Sequence, residues 1–344
     1  MTNMMLIIAK RVTAGWKEFV LTIIAISAKI AQKNLLNVYR TLLPIPRTRS
    51  EKNGTTEYLN KSLEKNLQYS RFSKGLYSEI QIKNVWKNNV DNLLQLIKYI
   101  HNKGYKSFRI SSNLFPLYDS SQELLESYKE IIPTLEEIGK FAISNGIRLT
   151  THPDQFVVIS SRNPNVISKS IKMLEYHAWV FDKMKLPTTT YYAINIHGGV
   201  SNNHQTLIDS ILSLPENIKS RLTLENDERS YSVADLFHVY EKTNVPIVFD
   251  THHWAFNSGN LTQKQGFDLA RKTWKEKPLT HLSNTEPSKQ LGSFTELRKH
   301  SDYVHYIPDW QLNANNSGEI DIDFEFKMKN LAIEKAVKEF GITL

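Results

Sequence analysis

From about residue 80 onward, two patterns of apolar residues alternate along the chain. The segment Glu79–His101 carries apolar residues three and four positions apart, which is the spacing of one face of a helix, and Gly104 ends the pattern. The next segment, Ser107–Ser111, is a short run typical of a buried strand. The same alternation continues to the end of the chain and predicts successive strand–helix units.

Seven segments are predicted to be strands, and a helical pattern follows each of them. The predicted strands are Ser107–Ser111, Ile147–His152, Tyr191–His197, Leu222–Glu225, Pro246–Asp250, Leu279–Ser283 and Ile320–Phe326. This alternation is typical of α/β proteins with a parallel sheet, and seven or eight units favour a (β/α)8 TIM barrel over an open doubly wound sheet. No G-x-G-x-x-G or G-x-x-x-x-G-K-[ST] run lies at a predicted strand–helix turn, which argues against a nucleotide-binding open sheet. The eighth strand is expected upstream, with Leu35–Leu43 as the candidate.

Capping residues and prolines predict where some helices begin and break. Ser120 with Glu123 forms a capping-box pattern, so a helix is predicted to begin there and to run toward Asn145. Pro133 predicts a kink or a split within that helix. The last helix is predicted at Lys327–Phe340.

Residues 1–50 differ from the rest of the chain. Two apolar stretches, Met4–Ala9 and Phe19–Ala28, are separated by basic residues, and Glu18 is the only acidic residue of this segment. Each stretch is shorter than the roughly 20 residues that a membrane-spanning helix needs, so no stable membrane association is expected. The segment is interpreted as a helical extension over the barrel, or alternatively as an organelle-targeting or secretory segment. The chain is therefore divided into a divergent N-terminal extension of unassigned role (1–50) and a TIM-barrel domain (51–344).

Composition limits the chemistry that the chain can support. Its 344 residues contain no cysteine, which excludes disulfides and thiolate-bound zinc, so any metal must have nitrogen and oxygen ligands. The formal net charge is +8 and the pI is about 9.3. This balance favours a polyanionic partner such as nucleic acid, although a solvated basic surface has the same composition.

Metal-capable side chains lie at the C-terminal ends of six successive predicted strands, or in the loops beyond them. The set is His152, His197, Glu225, Asp250, His253, His281, His300 and Glu325. In a barrel the strand C-termini converge on one face, which holds the active site. His accounts for only 11 residues and Asp plus Glu for 35 of 344, so chance does not readily fill six successive strand ends, and the set predicts a metal site.

The ligand types leave the metal and the reaction open. Imidazole and carboxylate suit Zn, Mn or Fe, and carboxylate also suits Mg. Eight ligands exceed the needs of one ion, so two or three divalent ions are expected, and Glu225 and Asp250 could bridge them. Paired ions serve phosphoryl displacement. They could equally hold a polyol during sugar isomerisation.

The loop beyond the second predicted strand suggests a contact with DNA. Gln155 and Phe156 follow His152 there, and an amide beside an exposed aromatic ring could fill a gap in a base stack. Packing of Phe156 beneath its own loop is an equal alternative. Basic residues on or near the same loops could meet phosphates; they are Arg109, Arg162, Lys169, Arg229, Lys289, Arg298 and Lys299.

Short motifs in a fixed order connect the chain to a known family. They are FRISSNLFPL (108–117), LTTHPDQFV (149–157), NIHGG (195–199), LTLENDE (222–228), FDTHH (249–253), HLS (281–283), HSDYV (300–304) and DIDFEFKMK (321–329). Over about residues 80–340 the chain resembles the UV-damage DNA endonuclease family. That family is a (β/α)8 barrel, related in plan to endonuclease IV, that nicks DNA on the 5′ side of UV photoproducts with a cluster of metal ions, usually manganese.

The resemblance implies roles for individual residues. It implies as metal ligands the same eight residues that the strand ends indicate, and it implies that Gln155 and Phe156 probe the duplex at the lesion. The family usually has Tyr at the second probe position, so Phe156 keeps the ring and loses the hydroxyl. The residues expected to be catalytic are Glu225, Asp250, His253 and Glu325.

The chain departs from the family pattern at two places. Family members commonly carry a lysine two residues before the histidine of their seventh strand, which corresponds to Leu279–Ser283 in this chain. Leu279 replaces that lysine here. The family's first strand, with its Gly-Tyr pair and an Asn directed to the DNA, has no clear match in residues 1–50. Because of these departures, the number of bound metal ions and part of the DNA-binding groove could differ from those of the family.

The leading hypothesis is a metal-dependent DNA repair endonuclease. It would nick duplex DNA 5′ to pyrimidine dimers and 6-4 products by attack of metal-activated water on the phosphodiester, with two or three Mn²⁺, or alternatively Zn²⁺ or Mg²⁺. A monomer acting on damaged double-stranded DNA inside the cell, in cytoplasm or nucleus, is expected. The alternatives are an abasic-site endonuclease of the endonuclease IV type, a barrel sugar isomerase, and a lesion-binding protein without catalysis.

Overall fold

The computed structural model describes residues 66–340 and residue 342. The N-terminal extension predicted at 1–50 and the candidate strand Leu35–Leu43 lie outside the described residues, and both stay predictions. Among the residues that are described, none of the helices has the length and apolar character needed to cross a membrane.

Seven parallel strands form the inner wall. They are β1 (Ser107–Ile110), β2 (Arg148–Thr151), β3 (Ile194–His197), β4 (Leu222–Glu225), β5 (Ile247–Asp250), β6 (Leu279–Leu282) and β7 (Asp321–Phe324). Their order in the sheet follows the chain from β1 to β7. All seven predicted strands are confirmed, within a few residues of their predicted bounds.

The two edge strands face one another, so the wall is a nearly closed barrel. Ser107 Oγ on β1 donates to Asp323 Oδ1 on β7 at 3.3 Å, and Arg109 Nη2 donates to the other oxygen of Asp323 at 3.2 Å. The predicted TIM-barrel class is therefore confirmed, with seven strands in the described part of the chain.

Helices form the outer layer. In chain order those of the described residues are α1 (Tyr69–Phe72), α2 (Glu79–Asn102), α3 (Gln122–Ser127), α4 (Ile132–Ser144), α5 (Pro164–Lys183), α6 (His204–Ser213), α7 (Glu216–Lys219), α8 (Val233–Thr243), α9 (Thr251–Trp254), α10 (Gln263–Arg271), α11 (Phe294–Leu297), α12 (Asp309–Asn316) and α13 (Asn330–Phe340). Short 3-10 turns lie at Tyr118–Ser120, Lys129–Ile131 and Pro287–Lys289.

The long helix α2 shows how local sequence builds this layer. Ser78 and Gln81 form a capping box at its start, which satisfies backbone donors that have no partner within the helix. Its apolar face buries Trp86 completely, and the indole N–H donates to the Pro116 carbonyl at 2.9 Å. Burying each large side chain of this face stabilises the fold by roughly 1.5–3 kcal/mol. The helix predicted at Glu79–His101 is thus confirmed.

The helix predicted from Ser120 to Asn145 is two helices. Ser120 lies in a 3-10 turn, and α3 begins only at Gln122 without a side-chain cap, so the predicted capping box is wrong. Tyr128 leaves helical geometry with ψ +88°. Pro133 lies in the first turn of α4, where the missing N–H of proline costs no hydrogen bond. The split that Pro133 predicts is therefore confirmed, and α4 begins there.

The C-terminal helices also differ from the prediction. The last helix begins at Asn330 rather than at Lys327, because Lys329 has a left-handed backbone with φ +48°. Helix α12 has no counterpart among the predicted helices. Its sequence, DWQLNANN, is rich in asparagine, which has a low intrinsic helix propensity.

A network of charged side chains centred on buried Arg148 and Asp321 fills the N-terminal end of the barrel. Arg148 on β2 donates to Asp321 on β7 at 2.8 Å and to the carbonyls of Thr190, Tyr191 and Lys277. The Lys277 ammonium group lies 2.8 Å from the other oxygen of Asp321. These side chains pack the barrel below the strand ends that carry the predicted ligands.

Candidate metal centre

The strand ends position the predicted ligands. His197, Glu225 and Asp250 are the last residues of β3, β4 and β5, and His152 and Glu325 directly follow β2 and β7. The other predicted ligands are His281 within β6, His253 in α9 and His300 in the loop after α11. Because the C-terminal ends of parallel barrel strands meet at one face, these side chains surround one centre.

Glu225 lies at the middle of this cluster. Its side chain is 1% exposed, its Oε2 lies 3.0 Å from His152 Nε2, and the same oxygen accepts a hydrogen bond from Asn195 Nδ2 at 2.5 Å. Its Oε1 lies 3.0 Å from His281 Nδ1 and 3.7 Å from His253 Nε2. One carboxylate therefore contacts side chains from β3, β6, α9 and the loop after β2.

Burial and neighbouring charges oppose one another in setting the pKa values here. Burial alone would raise the pKa of Glu225, but His281 and His197 hold it well below its usual range. Burial would lower the pKa of His253, and Asp250 and Glu225 outweigh that effect and raise it. Burial prevails at His197 and lowers its pKa. An ionised carboxylate beside a neutral imidazole is the protonation state in which both groups bind a metal.

Seven of the eight predicted ligands form three overlapping groups. Within each group the three ligand atoms lie within 4.8 Å of one another, and the groups are His152–His197–Glu225, Glu225–Asp250–His253 and Asp250–His281–Glu325. Glu225 and Asp250 each belong to two groups, as bridging carboxylates would. His300 lies at the margin, with its Nδ1 3.8 Å from Glu325 Oε2 and its side chain 30% exposed.

Two buried polar atoms test whether a cation fits the cluster. Within residues 66–340, Asp250 Oδ2 and His197 Nδ1 are buried and have no hydrogen-bond partner. The other oxygen of Asp250 accepts from the backbone N–H groups of His252 and His253 at 2.7 Å each, which caps α9 and fixes the carboxylate. An unsatisfied buried polar atom destabilises a fold by about 1–3 kcal/mol, and a divalent cation would offset that cost. The residues present therefore fit a metal held by nitrogen and oxygen.

Arg109 is not the phosphate contact that the sequence suggested. Its side chain is buried, its guanidinium forms ion pairs with Glu325 and with Asp323, and Nη2 lies 2.9 Å from His281 Nε2. Burial would lower the pKa of Arg109, but Glu325 and Asp323 raise it further above its ordinary value. A guanidinium in this position neutralises carboxylates of the cluster instead of reaching the surface.

Leu279 lies inside the barrel at the place where the family commonly has a lysine. Its side chain is buried on β6, two residues before His281, and alternate residues of a strand face the same side. The apolar side chain supplies no ligand and no charge. The cation beside His281 in this chain is Arg109 from β1.

Glu228 is a residue of the site that the sequence reasoning missed. Its Oε2 lies 3.1 Å from His253 Nδ1, and its other oxygen forms an ion pair with Arg298. A carboxylate on one imidazole nitrogen fixes the ring and leaves the other nitrogen for the metal. The signal was the third acidic residue in the run LENDE after β4, but only the fold shows that it reaches His253.

A cavity of about 740 Å³ opens over the cluster. Its wall includes Gln155 and Phe156 from the loop between β2 and α5, and Phe156 is 78% exposed rather than packed beneath its loop. The predicted ligands that line the cavity are His152, His197, Glu225, His253 and Glu325. The exposed ring therefore lies at the mouth of the cavity that holds the cluster.

Known proteins match both the sequence and the fold. Residues 55–342 match the family model described as UV-endonuclease UvdE. The UV DNA damage endonuclease of Nostoc sp. is 38% identical over 264 residues, which cover 74% of this chain and 78% of that protein. The UV DNA damage endonuclease of Deinococcus radiodurans is 30% identical, over 76% of this chain and 86% of its own.

A solved structure agrees with these relatives. The crystal structure of SacUVDE superposes with a TM-score of 0.70 at 28% identity, and the match covers 82% of this chain and 94% of that one. The motif resemblance is thereby confirmed over the same region that forms the barrel and the cluster. The chain belongs to the UV DNA damage endonuclease family.

Proposed function

We propose that this protein is a DNA repair endonuclease that nicks duplex DNA on the 5′ side of UV photoproducts, both pyrimidine dimers and 6-4 products. An endonuclease of this family acts on DNA. The observation that carries the proposal is the Glu225-centred cluster in a cavity whose mouth bears the exposed Phe156. Family membership also favours DNA over a free sugar as the substrate of the cluster.

The proposed cofactors are two or three Mn²⁺ ions, with Zn²⁺ or Mg²⁺ as alternatives. When bound, they would activate a water molecule and stabilise the charge that develops on the phosphate oxygens. Their proposed ligands are His152, His197, Glu225, Asp250, His253, His281, His300 and Glu325. Glu225 and Asp250 each belong to two of the ligand groups. The proposed catalytic residues are Glu225, Asp250, His253 and Glu325.

The proposed partner is damaged double-stranded DNA, bound by a monomer in whichever compartment holds the DNA. Gln155 and Phe156 would enter the duplex at the lesion, since an exposed ring can fill the gap that unstacked bases leave. The net charge of +8 supports attraction to the phosphate backbone.

A nicking assay with matched duplexes tests the proposal. UV-irradiated and unirradiated duplexes of one sequence, end-labelled, are incubated with the purified protein and Mn²⁺, Mg²⁺ or Zn²⁺. We expect a lesion-dependent nick on the 5′ side in Mn²⁺ and no product in chelator. Absence of a lesion-dependent nick with every metal would refute it, and preference for a duplex with one abasic analogue would favour the abasic-site alternative.

The lesion-probing role is tested by removing the exposed ring. Phe156→Ala is expected to weaken binding to the irradiated duplex by about 1–3 kcal/mol, the usual value of base–aromatic stacking, and to leave thermal stability unchanged. Ile143→Ala is the matched control, because Ile143 is also exposed but ends α4 just before β2, at the other end of the barrel. Equal binding by the two variants would contradict the role of Phe156.

A further inference from the structure

Lys329 lines the cavity over the metal-capable cluster although it belongs to none of the three ligand groups. It follows Glu325 by four residues, is partly buried, and lines the same cavity as His152, Glu225 and Glu325. The cavity that would receive a DNA phosphate therefore has an ammonium-bearing side chain in its wall.

The backbone of Lys329 has a conformation that lysine rarely adopts. Its φ is +48°, in the left-handed region that favours glycine because a Cβ crowds the following carbonyl. Hydrogen bonds hold this conformation on both sides: Lys329 N–H donates to the Phe326 carbonyl at 3.1 Å, and Ile333 N–H donates to the Lys329 carbonyl at 3.3 Å. A strained backbone position in the wall of a functional cavity raises the hypothesis that the side chain contributes there.

The described lining of the cavity carries more carboxylates than lysine and arginine side chains. Its described lining contains the carboxylates Asp154, Glu225 and Glu325, and its basic residues are Arg109 and Lys329. Arg109 is buried and forms ion pairs with Glu325 and Asp323. Lys329 is only partly buried, so of the two it is the more accessible to an anion that enters from solvent, and an ammonium group is a suitable point charge for a phosphate oxygen.

We propose that Lys329 binds a non-bridging oxygen of the phosphodiester that the protein cuts, and so positions that phosphate over the cluster. This inference deepens the proposed function and rests on it. Lys329 acts on the substrate, not on the metal ligands, so its removal should leave metal binding intact.

The test compares Lys329→Ala with Lys327→Ala. Lys327 lies two residues earlier, is half exposed and pairs with Asp302 at 3.5 Å, so it is the matched control. Nicking of the irradiated duplex is measured for kcat and KM, Mn²⁺ affinity by electron paramagnetic resonance, and duplex binding in Ca²⁺ over a range of salt concentrations.

We expect Lys329→Ala to lower kcat/KM about 100-fold, the usual cost of losing one group that stabilises transition-state charge. Its Mn²⁺ affinity should equal that of the wild type, and the salt dependence of duplex binding should lose about one phosphate contact. Lys329→Arg should recover part of the activity. Lys327→Ala should match the wild type in all three measurements.

Lys329→Gly separates this role from a structural one. Glycine accepts the left-handed φ, so this variant should lose cutting as Lys329→Ala does while its Tm stays equal to or above that of the wild type. Loss of cutting together with a lower Tm would overturn the inference, and so would wild-type cutting by Lys329→Ala.

Failure of the proposed function gives a different result. If the wild type binds the irradiated duplex but fails to cut it with any of the divalent metals tested, the endonuclease proposal fails. The salt dependence of duplex binding by Lys329→Ala then decides whether Lys329 contacts a phosphate. An unchanged salt dependence overturns the contact. A wild type that neither binds nor cuts overturns both proposals.

Discussion

At the N-terminal end of the barrel the buried charges balance, whereas at the C-terminal end they do not. In the first network, Arg148 and Lys277 both lie 2.8 Å from Asp321. Glu276 is close by, since it accepts from the Tyr191 N–H at 2.7 Å while Arg148 donates to the Tyr191 carbonyl at 2.8 Å. The buried carboxylate of Asp321 thus meets two basic side chains, and Glu276 lies nearby as a second, partly exposed carboxylate.

At the C-terminal end, one guanidinium meets an excess of carboxylates. The carboxylates of this end are Glu225, Asp250, Asp323 and Glu325, of which Arg109 contacts Asp323 and Glu325 directly. Burying charge without a partner is strongly destabilising, so this end favours further positive charge, as the raised pKa values of His253 and His281 also show, and the other end does not.

One strand contributes to both ends. Asp321, Asp323 and Glu325 are alternate residues of β7 and its extension, and alternate residues of a strand face the same side. Asp321 forms part of the balanced network, and Glu325 forms part of the cluster. Inward-facing residues of one strand therefore stabilise the barrel at its N-terminal end and supply a predicted metal ligand at its C-terminal end.

The largest expected effect is at the unbalanced end. Glu225→Gln keeps the size of the side chain but removes the carboxylate shared by two ligand groups, so lesion-dependent nicking should fall by at least about 10³-fold. Tm should change little without metal, and Mn²⁺ should raise the Tm of the wild type but not of the variant. Nicking rates and thermal unfolding with and without Mn²⁺ check this, and cutting within tenfold of the wild type would contradict it.

A substitution at the balanced end should lower the free energy of unfolding and leave the nicking rate unchanged. Arg148→Met removes a buried partner of Asp321 and leaves three carbonyls without their donor, so the free energy of unfolding should fall by roughly 3–5 kcal/mol. Urea unfolding measures this, and nicking per folded molecule should be unchanged. The control is Arg271→Met, which breaks the exposed pair with Glu319 and should cost about 1 kcal/mol or less. Equal losses in the two variants would remove the distinction between the ends.

A smaller effect is expected where a side chain supports a ligand. Glu228→Gln weakens the hold on His253 Nδ1, so Mn²⁺ affinity should fall about 10-fold, and cutting should recover at saturating Mn²⁺. Glu241→Gln is the control, because Glu241 lies 3.9 Å from the exposed His238 and away from the cluster. If both variants retain wild-type Mn²⁺ affinity, Glu228 does not orient His253.

The smallest effect concerns a histidine beside the unbalanced end. His177 Nδ1 lies 3.1 Å from the Thr151 hydroxyl, and burial, with a smaller effect of His152, lowers the pKa of His177 to about 3. The folded state therefore keeps His177 neutral while the unfolded state binds a proton below about pH 6.5, so its contribution is complete above pH 6.5 and is lost as pH falls toward 3.

Acidification measures this contribution directly. Between pH 7.5 and 5.5 the wild type should lose about 1.4 kcal/mol more unfolding free energy than His177→Gln, by urea unfolding at each pH. Identical losses would show that His177 is protonated in the folded state as readily as in the unfolded state.

Much of the site could be predicted because strands have clear local signals. Each ligand at a strand end, such as His197 or Asp250, follows a short apolar run whose end can be located to within a residue or two. Predictions failed where local signals were weak or misleading. The capping pattern at Ser120 did not start a helix. The sequence of α12 is rich in asparagine, and its low helix propensity did not predict a helix.

The sequence by itself determined the order of strands and helices, the alternation that directs Asp321 and Glu325 inward, and the ligand types at the strand ends. Only the tertiary structure decided which side chains meet. Arg109 reaches Asp323 across 214 residues of chain and is buried there, although the sequence suggested a phosphate contact. The reason is physical: contacts along a strand follow from its period of two, whereas contacts across the barrel depend on strand register and closure, which no local pattern specifies.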